Sequence, residues 1–296
     1  MHIPIFTDEV DIKGGWHGAQ LAKAFATHSI EAVFVSLRDC VMDLSGQLPH
    51  IQIPHFNALP KAAFVRGIAG GTLQQITTRL NILHMLKMQG VLIYNDAKAI
   101  ERTVDKGMTS FLLHQAGIKT PQTWVCESRK MAHEIIHAEK VNQQKPLIIK
   151  PLFGSQGQGV RLVHEPIPLP MDAHVDGVFY LQALIKSSHD YRVFVVNNQA
   201  IAAMRRSGEG WLHNVALGAN CEAVDDVDIL GLAEKAAKTL DIAYCGVDII
   251  RDESGVLYVL EVNSIPAWRG LQTVTQTNIA QALVDDCLSQ LSNLNA

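Results

Sequence analysis

The stretch from Gly246 to Trp268, GVDIIRDESGVLYVLEVNSIPAW, constrains the fold more than any other part of the chain. Val247 to Arg251 and Val256 to Val262 are apolar and rich in β-branched residues, and Asp252, Glu253, Ser254 and Gly255 between them favour a turn. The pattern predicts an antiparallel hairpin. If residues 252–255 close its loop, Asp248 lies opposite Val259. Asp248, Val259, Glu261 and Asn263 then share one face, and Val256, Tyr258, Leu260 and Val262 the other. Diagonal neighbours in such a pair lie about 7 to 8 Å apart, so two carboxylates and an amide oxygen can surround a divalent cation. An all-oxygen set of this kind suits magnesium. A hairpin whose acids simply face solvent has the same pattern, and the rest of the chain must separate the two.

At 296 residues the chain is long for one domain, and two or three lobes are expected. With 48% hydrophobic and 18% charged residues it reads as globular, and no uncharged apolar run of about 18 residues is present to span a membrane. Asp8 and Glu9 stand where a secretory signal needs an apolar core, so no export signal is evident. A formal charge of -4 without any basic block argues against nucleic acid as the main ligand. The five cysteines, Cys40, Cys126, Cys221, Cys245 and Cys287, are scattered without a CxxC and read as reduced thiols in a cytoplasm.

The first hundred residues alternate strands and helices. Strands are expected at His2 to Thr7, Ala32 to Ser36, Ala62 to Arg66 and Val91 to Tyr94, and helices at Gly18 to His28 and Thr72 to Gln89. This is a parallel α/β unit. Gly14, Gly15 and Gly18 lead into a helix, but GGWHG is not GxGxxG, and an ordinary glycine turn explains it. Arg66 ends a strand, where open α/β sheets carry ligand contacts, although a surface ion pair fits equally. A helix from Thr103 to Ala116 carries Lys106 in its first turn, with Thr103 as its cap.

Two motifs compete for the chemistry. His133, Glu134 and His137 spell HEIIH, the spacing that puts two zinc-binding histidines on one helix face with a glutamate as general base. No HxxGxxH continuation follows and charged residues flank it, so a solvated helix face is the better reading. Leu147 to Lys150 is an apolar strand running into Gly154, Ser155, Gln156, Gly157 and Gly159, and then a second strand from Val160 to His164. Strand, glycine loop and strand form a flap. Its backbone can approach a polyphosphate and offer amide donors, with a hydroxyl from Ser155 and a charge from Lys150. A Walker loop opens a helix and does not fit. Val178 to Ile185 is an apolar strand around Gln182, able to receive an adenine where two lobes meet. Asp190 to Val196 and Ala200 to Met204 form a hairpin turned at Asn197 and Asn198, placing Arg192 and Arg206 at strand ends, where guanidiniums suit phosphate and carboxylate oxygens. Val227 to Leu240 and Asn278 to Leu291 are helices.

Taken together, DKGMTSFLLHQAGIKTPQT, IIKPLFGSQGQGV, DYRVFVV, AAMRR, Asn214, GVDII and LEVNSIPAW resemble the ATP-grasp superfamily, and within it the RimK-like carboxylate-amine ligases, over residues 62–283. The resemblance implies an ATP-grasp fold, mixed α/β and α+β, behind a Rossmann-like pre-grasp domain at 1–100, with a small lobe at 101–186 and a C-terminal lobe at 187–296. It implies ATP and magnesium (or manganese) as cofactors. Lys106 and Lys150 would contact the phosphates beneath the loop of Gly154, Ser155, Gln156, Gly157 and Gly159. Gln182, Leu184 and Ile185 would form the adenine hinge, and Asp248, Glu261 and Asn263 would hold the metal. Arg192, Arg206 and Asn214 would face the transferred phosphoryl group and the acyl intermediate. Two departures stand out: no acid follows Gln182 in the hinge, and Ala216, Leu217 and Gly218 lack a basic residue frequent in glutamate-adding members. The implied activity joins an amino acid, glutamate, to a carboxylate acceptor on a small molecule, cofactor or peptide terminus, in a homo-oligomer, dimer or tetramer. The alternatives are a zinc peptidase using HEIIH and a catalytically silent protein that only binds Mg-ATP.

Overall fold

The computed structural model describes residues 1–143, 146–154, 158–163, 177–208 and 220–294, and in it the chain lays down three main sheets in succession. The first takes β1 (His2–Phe6), α1 (Gly15–Thr27), β2 (Glu31–Val35), a small hairpin of β3 (Val41–Asp43) and β4 (His50–Gln52), β5 (Ala62–Val65), α2 (Leu73–Met88) and β6 (Leu92–Tyr94). Its order is β2-β1-β5-β6 with every pairing parallel, as the alternation of strand and helix predicts. Helix α1 starts at Gly15, earlier than the Gly18 expected, because Gly14 takes φ +71° and caps it. A Cβ on Gly18 would lie 2.1 Å from the Lys13 carbonyl oxygen, so these glycines serve a tight turn packed against a helix. Helix α2 opens on a capping box in which Thr72 and Gln75 bond each other's backbone amides.

The next segment departs from expectation. In place of one helix from Thr103 there are two, α3 (Ala97–Val104) and α4 (Lys106–Gln115), broken at Asp105, whose side chain caps α4 by accepting from the Met108 amide at 3.0 Å. Thr103 is buried and donates its hydroxyl back to the Ala99 and Ile100 carbonyls, so it ends α3 and does not begin α4.

The second sheet combines β7 (Thr123–Cys126), β8 (Leu147–Lys150), β9 (Arg161–Leu162) and β10 (Phe179–Ala183) in the antiparallel order β7-β10-β8-β9. Helix α5 (Arg129–Gln143) seals one face of it, setting Ala132 and Ile136 against Leu147, Ile149, Phe179 and Leu181. That orientation leaves His133 half-buried and Glu134 and His137 exposed, with Glu134 paired to Lys130 at 3.8 Å. The structure lends the zinc peptidase reading no support: Ile136 of HEIIH faces the sheet while Glu134 and His137 face outward, and no group of three His, Cys, Asp or Glu side chains able to hold a metal occurs among the described residues.

The third sheet runs β13-β12-β11-β14-β15, from β11 (His189–Val196), β12 (Gln199–Ser207), β13 (Asn220–Ala223), β14 (Tyr244–Arg251) and β15 (Leu257–Asn263), all antiparallel. Asn197 and Asn198 join β11 to β12 with φ of 49° and 60°, the left-handed two-residue turn that matches strand twist. Helix α6 (Val227–Leu240) buries Ile229, Ala233, Ala236, Ala237 and Leu240 on one side of this sheet, where Val193, Val195, Val247, Ile249 and, from α3 and α4, Ala99 and Leu113 meet them. The short α7 (Arg269–Gln272) follows, and α8 (Ile279–Leu294) crosses back to pack Ile279, Leu283 and Val284 beside Leu21 and Phe25 of α1. No described helix is long and apolar enough to cross a membrane.

The other side of the third sheet faces the first sheet. Phe64, Tyr94, Phe194 and Tyr244 stack there with centroids 5.2 to 6.5 Å apart. Fully buried Asn95 donates to the Tyr244 and Ser264 carbonyls at 2.7 and 2.8 Å and accepts from the Tyr244 amide at 3.2 Å, while the Tyr244 hydroxyl donates to the Val65 carbonyl at 2.7 Å.

Candidate active site

The site grows from the register of β14 against β15. Asp248 lies opposite Glu261, Ile249 opposite Val259, and Leu260 is the extra residue of a bulge between them. This corrects the register read from the sequence, which set Asp248 opposite Val259 and put Val259 on the acid face. The bulge changes the phase of β15: Val259 and Val262 both enter the α6 core, and Glu261 and Asn263 are half-buried on the opposite face. Asn263 donates its amide to Glu261 Oε1 at 3.0 Å.

On its other flank Asp248 lies opposite Arg192, so Glu261, Asp248 and Arg192 form one cross-strand row. Arg192 is therefore in the body of β11, not at a strand end. Both Asp248 carboxylate oxygens accept from Arg192, the Nη2 contact measuring 2.7 Å, and Oδ1 also takes Arg206 Nη2 at 3.2 Å. Arg206 Nε donates to Asp190 Oδ1 at 2.6 Å. Asp248, Arg206 and Asp190 are only 5, 5 and 7% exposed, so these charges interact with little solvent screening. Burial by itself would raise the Asp248 pKa, but Arg192 and Arg206 outweigh it and hold the carboxyl well below the usual range. Burial likewise works against the Arg206 charge, and Asp248 and Asp190 together overcome it and raise its pKa. Asp190 was not foreseen as a site residue. Its signal was in the sequence, since it stands two positions before Arg192 on the same face of a strand.

Two lysines approach from the second sheet and from α4. Lys150, at the end of β8, is buried and donates to Gln182 Oε1 at 2.7 Å. Gln182 in turn donates to Thr123 Oγ1 and the Tyr180 hydroxyl, each at 3.0 Å, and that hydroxyl meets Ser110 Oγ at 2.8 Å. The side chain expected at an adenine hinge is thus committed to bracing Lys150. Next to it, the Leu184 amide is bonded to the Pro146 carbonyl at 2.9 Å, and Ile185 is half-buried. Lys106 donates to the carbonyls of Leu152 and Gly154 at 3.2 and 2.9 Å, gripping the root of the glycine flap. A Cβ on Gly159 would come within 2.7 Å of Pro151 Cγ, and its φ of +75° also favours glycine. Burial lowers the pKa of both lysines, and Glu261 opposes that shift in each, which puts its carboxylate among them. Ser155, Gln156, Gly157 and Asn214 lie outside the described residues.

Five strands and a helix therefore converge four cations and three carboxylates. Glu261 and Asp248 face each other across the strand pair with the Asn263 amide adjacent. Two carboxylates this close fit a hard divalent cation, which relieves their repulsion, with Asn263 adding a neutral oxygen. Because Arg192 takes both oxygens of Asp248, Glu261 and Asn263 are the more open members of the set.

A family model described as the RimK-like ATP-grasp domain matches residues 103–287. The tetrahydromethanopterin:alpha-L-glutamate ligase of Methanococcus maripaludis is 30% identical over 302 residues, covering 98% of each chain. A probable alpha-L-glutamate ligase 2 of Hahella chejuensis is 28% identical over 284 residues, covering 93% of this chain and 92% of its own. Among solved structures, the D-cycloserine synthetase DcsG superposes with a TM-score of 0.75 at 18% identity, over 98% of this chain and 100% of its own. The ATP-grasp ligase PsnB, complexed with minimal precursor, Mg and ADP, superposes with a TM-score of 0.72 at 18% identity over 98% of both chains.

Proposed function

The chain belongs to the RimK-like ATP-grasp family of ATP-dependent carboxylate-amine ligases, and from that premise we propose that it joins glutamate to an acceptor carboxylate through an acyl phosphate. The observation that carries this reading is the row of Glu261, Asp248 and Arg192 with Arg206 beside it and Lys106 and Lys150 opposite. The names of the relatives support glutamate as the amine.

A carboxylate is a poor acylating agent because oxide is a poor leaving group. An acceptor oxygen attacks the γ-phosphorus of ATP, the bond to the bridging oxygen breaks, and ADP leaves. The amine of glutamate then attacks the acyl carbon, phosphate departs with the acceptor oxygen, and the nitrogen gives up a proton to leave an amide. Glu261, Asn263 and Asp248 would hold magnesium, which would supply positive charge to offset that of the phosphates. In this scheme Lys150 stays fixed on Gln182 and presents its ammonium to the phosphates without having to reorganise. Lys106 joins the flap root at Leu152 and Gly154 to the same charge, so a nucleotide held there would meet Lys106 and the backbone it grips together. Arg192 would face the transferred phosphoryl group, and Arg206, with Asn214 by family likeness, the tetrahedral oxyanion. No side-chain nucleophile is required. The three sheets support a division of the chain near residues 100 and 186 into pre-grasp, small and C-terminal units.

The test is isotopic. Peptide acceptors ending in an 18O-labelled carboxylate are incubated with glutamate, ATP and magnesium, and the released phosphate is weighed. One labelled oxygen per phosphate is expected, and amide product with unlabelled phosphate would rule out the acyl phosphate.

A further inference from the structure

Resting on the ligase reading, we propose that Arg66 and Arg269, set around Trp268, form a subsite that clamps a substrate carboxylate other than the one being activated. The cluster lies where the first sheet meets the loop leaving β15. Arg66 directly follows β5, its amide is tied to the Phe6 carbonyl at 2.8 Å, and its guanidinium stands over the Trp268 ring, 5.2 Å from the centroid. Arg66 Nε and Trp268 Nε1 are both buried and have no hydrogen-bond partner among the described residues, whereas Arg66 as a whole keeps partial exposure. Two unmet donors, on a guanidinium and the indole it covers, are costly to keep unless an acceptor group meets them, and Arg66 remains partly reachable from solvent. The cation–π contact with the indole restrains the guanidinium, whose planar fork suits a carboxylate better than a diffuse anion.

The surroundings determine the charge. The Trp268 amide donates to His17 Nε2 at 3.1 Å, so the ring proton of His17 is on Nδ1. Burial, Arg66 and Arg269 together push the His17 pKa down to about 4, leaving the arginines as the cations here. Asp8 and Glu9 are exposed on the same rim and partly balance Arg66. The distance to the chemistry is short. Trp268 follows Asn263 by five residues, at most about 18 Å of chain. Between them Pro266 packs on Gly246, where an added Cβ would meet Pro266 Cβ at 2.9 Å and Arg192 Cδ at 3.2 Å. The loop thus passes beside Arg192, so one substrate can reach both the phosphoryl site and Arg66.

Two sources share this chemistry: a distal carboxylate of the acceptor and a carboxylate of the incoming amino acid. Calorimetry on the full chain with Mg-ADP, titrating N-acetyl-triglutamate or free glutamate, separates them. The expected result is that one probe binds about tenfold or more weakly to Arg66→Gln, recovers in part with Arg66→Lys, and weakens in the same direction with the exposed Arg269→Gln. Mg-ADP affinity should be unchanged in all three. N-acetyl-triglutamine provides a readout that a merely structural role would not move, because the wild type should prefer acid to amide and Arg66→Gln should not if the acceptor is the source. Both probes binding Arg66→Gln and Arg269→Gln as they bind the wild type would overturn the subsite, as would neither probe binding a wild type that binds Mg-ADP. Failure of Mg-ADP to bind the wild type would instead overturn the ligase reading on which the subsite rests.

Discussion

At the scale of single residues, the site is held by side chains that hold other side chains. Gln182 contacts Lys150, Thr123 and Tyr180 from a buried position, so Gln182→Leu keeps its volume but strands an ammonium. We expect the ATP KM to rise about tenfold or more with a smaller change in the KM for glutamate, measured by coupled ADP release. His17 gives a pH signature. Its folded pKa of about 4 lies below the ordinary imidazole value of 6.5, so between these values the unfolded chain binds more protons and stability rises with pH. Because the ring keeps some exposure, the effect is discounted to about 1 kcal/mol. Urea denaturation at several pH values should show His17→Gln losing less stability than the wild type as pH falls from 6.5 to 4, and parallel losses would contradict the assignment. Much at this scale was legible in the sequence. Lys106, Lys150, Arg192, Arg206, Glu261 and Asp248 all fall around one centre, while Asp190 and the Gln182 brace were not foreseen, because such partners depend on strand register, which a single sequence encodes weakly.

At the scale of elements, the instructive departures are the bulge and the split helix. Val256 to Val262 is almost continuously apolar, so its period-two pattern has two acceptable phases, and only packing of both Val259 and Val262 against α6 selects the bulged one. The helix break at Asp105 had a sequence signal, since aspartate before Lys106 is a good cap, but Thr103 competed for the role. In the fold Thr103 is buried and bonded backward. Asp105→Ala should therefore cost about 1 kcal/mol in thermal stability and loosen Lys106 at the first position of α4, while Thr103→Ser should leave the cap intact. Helix α6, by contrast, runs over the residues expected, because its apolar positions have one unambiguous helical phase.

At the scale of the whole molecule, the first and third sheets are coupled through Asn95, Tyr244 and the loop beyond β15, which begins directly after Asn263. Asn95→Leu would leave the Ser264 and Tyr244 carbonyls and the Tyr244 amide without their partner, a loss of about 3 kcal/mol or more, and calorimetric unfolding should show a lowered or divided transition. The parallel first sheet followed by two antiparallel sheets could be read from element order, whereas the return of α8 to α1 could not, since nothing local marks which surface a terminal helix covers. The central claim is that Glu261, paired with Asp248 across the hairpin, makes the magnesium-dependent nucleotide site of a ligase. Titrating ADP into wild type and Glu261→Ala, with and without magnesium, tests it most directly. We expect binding that needs magnesium in the wild type and is weakened about a hundredfold in the variant, with the fold retained by circular dichroism. Equal, magnesium-independent binding in both proteins, or none in the wild type, would contradict the account.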